Sequence, residues 1–180
     1  MEKTLEQLLV AIQDLQKSVD TLSKNIADQG TAASVPTGLS IAIMGTRGHG
    51  QKHIDNFLKL KGCFISYICD VDTKVGKLAA DRIAKAQGYR PKLVQDFREA
   101  LKDKSVDIIS ISTPHHWHAL ATVWALQAGK HVYIEKPITH TFDEAPSVLA
   151  AAQKYGKIVQ SGTQLRSNTS LKAAGEYMRA

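Results

Sequence analysis

Six residues directly after an apolar stretch have the types and spacing to hold phosphate: Gly45-Thr46-Arg47-Gly48-His49-Gly50. A dinucleotide-binding turn needs one glycine for the sharp bend and one where backbone approaches the pyrophosphate. It needs a third where the following helix packs on the strand. Gly45 and Gly50 match the first and third places, while Arg47 stands at the second with Gly48 beside it. The Arg47 side chain must turn outward, or Gly48 must take over the close approach, or the guanidinium pairs with a phosphate. Asp70 lies 20 residues beyond Gly50. A carboxylate there accepts hydrogen bonds from ribose hydroxyls and repels a 2′-phosphate, so NAD is expected in preference to NADP. Asp72 is the better candidate to cap the helix that follows. His115, His116 and His118 are metal-ligand types, but neighbouring histidines on one turn rarely converge on one ion. No Cys or carboxylate accompanies them, and no metal site is expected. Trp117 and Trp124 read as packing residues.

These groups need elements that bring them together. From Leu39 the sequence alternates apolar strand-like runs with amphipathic helical ones. Strands are expected at 39–44, 63–69, 92–94, 106–112, 131–134 and 158–161. The helix from about Thr73 turns Val75, Leu78, Ala79 and Ile83 inward and stops at Gly88. Capping boxes are expected at Asp96–Glu99 and Thr141–Glu144. Short β-α connections imply an α/β fold of Rossmann type, a mainly parallel sheet with helices on both faces. Ligands of such sheets bind along the rim where strands end, which directs attention to residues 45–50, 70–72, 113–118 and 135–137.

Residues 1–29 follow a different rule. Leu5, Leu8, Ile12, Leu15, Val19, Leu22 and Ile26 recur at alternating spacings of three and four, a heptad seam that predicts an amphipathic or coiled-coil helix and a homo-oligomer. The competing reading packs this seam on the chain's own domain. Residues 30–38 read as a linker. The formal charge is +6, but the 23 Lys and Arg are scattered among 17 acids, without a basic block or interleaved aromatics. No nucleic-acid partner is expected. No apolar run spans a bilayer and no membrane partner is expected. Cys63 and Cys69, the two cysteines, are expected as reduced thiols of a cytoplasmic protein.

Thr113-Pro114-His115-His116-Trp117-His118-Ala119 and Ala128-Gly129-Lys130-His131-Val132-Tyr133-Ile134-Glu135-Lys136-Pro137 closely resemble segments of the Gfo/Idh/MocA family, which includes glucose–fructose oxidoreductase and inositol dehydrogenase. The resemblance runs from about Leu39 to the C-terminus. It implies a nucleotide-binding domain, here residues 39–162, followed by a larger C-terminal α/β domain. It implies oxidation or reduction of a sugar, cyclitol or related polyol; some members are NAD-dependent glycosidases. Carried over by residue, it implies that Thr113, Pro114 and His118 line the cofactor. Glu135 would orient the cofactor ribose or partner Lys136, and Lys136 would be the catalytic or substrate-contacting lysine. Arg166 resembles the stretch leaving this domain in sugar-acting members, against a plain surface arginine. Residues 163–180 read as the start of a truncated second domain, without which a substrate is held by half a cleft. The alternative of another class is a non-catalytic nucleotide-binding module that residues 1–29 assemble into an oligomer.

Overall fold

A computed structural model describes residues 36–163, 165 and 168–179. The heptad segment 1–29, most of the 30–38 linker and Arg166 lie outside the described residues. Six strands form one parallel sheet: β1 (Leu39–Met44), β2 (Cys63–Cys69), β3 (Lys92–Val94), β4 (Ile108–Ile111), β5 (His131–Ile134) and β6 (Val159–Ser161). Their spatial order is β3-β2-β1-β4-β5-β6, with every pair parallel. The intervening helices are α1 (His49–Phe57), α2 (Thr73–Gln87), α3 (Arg98–Lys102), α4 (His118–Gln127) and α5 (Ala145–Tyr155), with α6 (Thr169–Tyr177) after β6.

The central strands are apolar on both sides because helices cover both faces. Along β1 the side chains alternate between two cores. Ile41 and Ile43 join Ile54 of α1 and Ala79, Ala80 and Ile83 of α2. Ala42 and Met44 join Ala121, Ala125 and Leu126 of α4 and Ala151 of α5. The register between β1 and β2 slips by one residue after Ile41. Ser66 occupies the bulge, with its hydroxyl 2.6 Å from that of Ser40, so the extra polar residue is hydrogen-bonded inside the sheet.

Three local expectations are corrected. Leu78 is 71% exposed, because α2 faces inward through Gly76, Ala79, Ala80 and Ile83, and a Cβ on Gly76 would sit 2.5 Å from Leu93. The Asp96–Glu99 box does not form. Arg98 takes both Asp96 oxygens with its guanidinium, and α3 starts later without a side-chain cap. The fourth strand is shorter than expected, Ile108–Ile111, although hydrogen bonds to β1 continue beyond it, from the Asp107 amide to the Ser40 carbonyl and from the Ser112 amide to the Met44 carbonyl, each at 2.9 Å. The Thr141–Glu144 box is present, and Asp72 caps α2 through the amides of Lys74 and Val75. No described helix is long and apolar enough to cross a membrane.

Candidate functional site

Because every strand runs the same way, the segments after β1 to β5 share one rim, where they line a cleft of about 750 Å³. The turn after β1 forms its floor. Gly45 has φ of +84°, and a Cβ there would lie 3.0 Å from the Ser112 carbonyl oxygen. Gly50 does not line the cleft. It packs behind the loop, where a Cβ would meet the Gly45 carbonyl oxygen at 2.1 Å. Gly48 has φ of +50° and ψ of −114°, and a Cβ there would touch nothing within 4 Å. The space above Gly48 is therefore open, at the N-terminus of α1, where backbone amides and the helix dipole favour an anion. Arg47 is turned outward, with its guanidinium 2.5 Å from Asp72 and its side chain 71% exposed. It does not crowd the loop.

Asp70 closes this part of the cleft from β2. Its Oδ2 accepts from the Thr46 amide at 2.9 Å and the Thr46 hydroxyl at 2.5 Å, and its Oδ1 accepts from the Asp72 amide at 2.9 Å. A carboxylate has about four acceptor positions, so capacity for a further donor remains. Hydrogen bonding from Arg47 and the Val75 amide holds Asp72 below the ordinary carboxylate range. Beyond β3 the wall is aromatic: Phe97 stacks on Trp124 at 5.8 Å, and Arg98 lies over Trp124 at 5.9 Å. The two tryptophans expected to pack also line the cleft. Cys69 lies on the lining too, but burial first, then nearby carboxylates, push its thiol up to about 12. It is an inert thiol at neutral pH.

The other end is built after β4 and β5. Thr113, Pro114 and His118 line it. His118 is fully buried, and its ring nitrogens face the carbonyl oxygens of Pro137 at 2.5 Å and Thr113 at 3.0 Å. The ring thus ties the two rim segments together. Thr113 Oγ1 is buried without a partner among the described residues.

Glu135 and Lys136 follow β5 on the same lining, Glu135 nearly buried and Lys136 exposed to the cleft. Glu135 Oε1 lies 3.0 Å from His53 Nε2 and 3.5 Å from His49 Nδ1, and Oε2 accepts from the Lys136 amide at 3.2 Å. Burial alone would raise this carboxyl. The His53 hydrogen bond, the Lys136 amide and the two imidazoles reverse that and hold it below its ordinary value. His53 Nδ1 lies 2.8 Å from Ser110 Oγ. Reasoning from sequence missed His49, His53 and Ser110. The available signal was the spacing of four between the two histidines, which places them on one face of the helix opened by the glycine turn.

The residues expected to contact the cofactor therefore gather on one cleft, Gly50 supporting it from behind. An open glycine loop at a helix N-terminus, a carboxylate with spare acceptor capacity and the unpartnered Thr113 hydroxyl are compatible with a dinucleotide.

Comparison with known proteins agrees with this fold. An alpha-N-acetylgalactosaminidase from Shewanella oneidensis is 29% identical over 121 residues, covering 65% of this chain and 26% of that protein. The chain thus spans about a quarter of that relative's length. The myo-inositol 2-dehydrogenase structure from Lactobacillus plantarum matches with a TM-score of 0.72 at 23% identity, over 79% of this chain and 41% of that one. An NAD binding oxidoreductase from Klebsiella pneumoniae matches with a TM-score of 0.59 at 29% identity, over 70% of this chain and 34% of that one. The sequence profile described as oxidoreductase family, NAD-binding Rossmann fold, matches residues 39–163, and with that span of sequence and fold the chain belongs to the Gfo/Idh/MocA oxidoreductase family.

Proposed function

We propose that residues 39–162 are the NAD-binding part of an oxidoreductase that acts on a sugar, cyclitol or related polyol by hydride transfer. The observation that carries this reading is the closeness of the glycine turn to the β5 end: His49, inside the turn, lies 3.5 Å from Glu135. One crevice can then receive a phosphate at one end and a redox-active ring at the other. In this reading the Gly45–Gly50 turn and the N-terminus of α1 hold the pyrophosphate, and Asp70 accepts from the adenosine ribose. Thr113, Pro114 and His118 line the nicotinamide side. Glu135 orients the nearby ribose, and the Lys136 amine takes the carbinol proton as the substrate is oxidised. The bound dinucleotide supplies the hydride acceptor or donor. In this reading the Asp70 carboxylate also repels a 2′-phosphate, which favours NAD over NADP. Residues 163–180 belong to the second, substrate-facing domain of this reading.

Calorimetric titration of the purified chain with NAD+ and NADP+ tests it; absence of binding by both removes the proposal. The alpha-N-acetylgalactosaminidase relative supports a second reading, in which the same cleft serves an NAD-dependent glycosidase. Assay with a polyol panel and with a chromogenic N-acetylgalactosaminide separates the two by which substrate turns over.

A further inference from the structure

Glu135 carries more support than a ribose contact requires. His53 is 5% exposed, and each of its ring nitrogens has a partner. A carboxylate only accepts, so the proton sits on Nε2, which donates to Glu135 Oε1 at 3.0 Å. Nδ1 lies 2.8 Å from the Ser110 hydroxyl, and Ser110 is fully buried on β4. The ring cannot rotate without losing both bonds. Tyr133 packs edge-on against it at 5.1 Å, and Phe57 packs edge-on against Tyr133 at 6.2 Å. A Cβ at Gly162 would lie 3.1 Å from Glu135 Oε1, so that position admits no side chain without displacing the carboxylate. The titratable groups facing Glu135 are His49 and His53 from α1, Tyr133 from β5 and the following Lys136.

We propose that His53 is a positioning residue that fixes Glu135 as an anion on the cleft wall and thereby stabilises the oxidised dinucleotide relative to the reduced one. This rests on the reading of the cleft as a dinucleotide site with Glu135 at its nicotinamide end. Oxidised and reduced dinucleotide differ in charge at one place, the nicotinamide ring, which is cationic when oxidised and neutral when reduced. An immobile negative charge on that wall favours the cationic form, and partial burial keeps the attraction from being fully screened. A carboxylate free to rotate toward solvent, or protonated for want of a donor, would lose this discrimination.

The test uses the full chain and two ligands, NAD+ and NADH, titrated separately at neutral pH. In His53→Leu the ratio Kd(NAD+)/Kd(NADH) is expected to rise about tenfold over wild type, chiefly through weaker NAD+ binding. Glu135→Gln is expected to raise it similarly. His53→Gln, whose side-chain amide can donate from the Nε2 position, is expected to stay within about twofold of wild type. A merely structural role for His53 would weaken both ligands in proportion and leave the ratio unchanged, and that result overturns the proposal. If His53→Leu does not fold, Glu135→Gln decides, and an unchanged ratio there has the same consequence. A wild-type chain that binds neither ligand overturns the dinucleotide reading itself, and this proposal with it.

Discussion

Thr46 gives both its amide and its hydroxyl to one oxygen of Asp70, at 2.9 and 2.5 Å. The glycine turn after β1 is thereby clamped to the end of β2. Asp70 has a structural task before any ligand arrives, and a substitution there must be read through two observables.

Asp70→Ala is expected to weaken NAD+ binding by tenfold or more and to lower folding stability by about 2 kcal/mol, since two charge-assisted hydrogen bonds to Thr46 are lost. Thr46→Val removes the hydroxyl bond alone and should cost about 1 kcal/mol with a smaller effect on affinity. Calorimetry and urea denaturation on both variants separate the two contributions. Unchanged NAD+ affinity in Asp70→Ala would remove the ribose assignment.

Two glycines of the same turn should respond differently to one added methyl group. In Gly50→Ala the new carbon would lie 2.1 Å from a backbone oxygen, which cannot move without displacing β1 from α1. A loss of about 3 kcal/mol or more is expected, with loss of ligand binding. Gly48→Ala meets open space but retains a φ of +50° with ψ of −114°, a strain of about 1–3 kcal/mol. Its larger effect should fall on ligand affinity, because the methyl group enters the space above the loop. Equal destabilisation by the two substitutions would contradict this picture.

The pH dependence of stability follows from Glu135. Its folded carboxyl lies below the ordinary value of 4.5, so the unfolded chain binds the proton more readily. Glu135 therefore contributes stability that is fully present above pH 4.5 and is lost as pH falls through the folded value. Denaturation of wild type and Glu135→Gln between pH 3.5 and 7 should show wild type ahead at neutral pH, with the gap closing on acidification. A gap that widens in acid would reverse the assigned sign.

The sheet and its rim were legible because they depend on local pattern. Runs such as Ile41–Met44 are apolar on both faces, and the glycines and Asp70 stand where such runs stop. Parallel geometry then puts every strand end on one side, which locates the cleft without any pair of contacts being known. What could not be read depends on partners far apart in the chain. His53 meets Ser110 57 residues away and Glu135 82 residues away, and nothing local to any of the three marks the other two. Leu78 misled for a related reason. Apolar spacing alone does not show that Gly76 lets α2 approach Leu93 closely enough to turn Leu78 to solvent.

The heptad seam of residues 1–29 makes a prediction of its own. An isolated amphipathic helix of that length is marginal in water, so its apolar stripe needs a cover. If that cover is a second copy, deletion of residues 1–29 should reduce the mass measured by light scattering to that of a monomer, while NAD+ affinity stays within about twofold. An unchanged number of copies would remove the assembling role of residues 1–29.

The Arg47–Asp72 pair sets the last expectation, the choice between NAD and NADP. Both side chains are substantially exposed, at 71% and 39%, so the pair adds little to stability and is readily broken by salt. Its consequence is for ligands: Asp72 occupies the guanidinium and keeps a second carboxylate close to Asp70. Asp72→Ala would release Arg47 and remove one repulsive charge, leaving a free guanidinium able to take a phosphate in a two-pronged contact. The expected result is about a tenfold gain in NADP+ affinity at low salt, declining as salt is raised, with NAD+ affinity changed less than threefold. Arg47→Ala in the same background should abolish that gain. If Asp72→Ala improves NADP+ and NAD+ equally, the pair does not discriminate at the 2′-position, and the proposed NAD preference would rest on Asp70 alone.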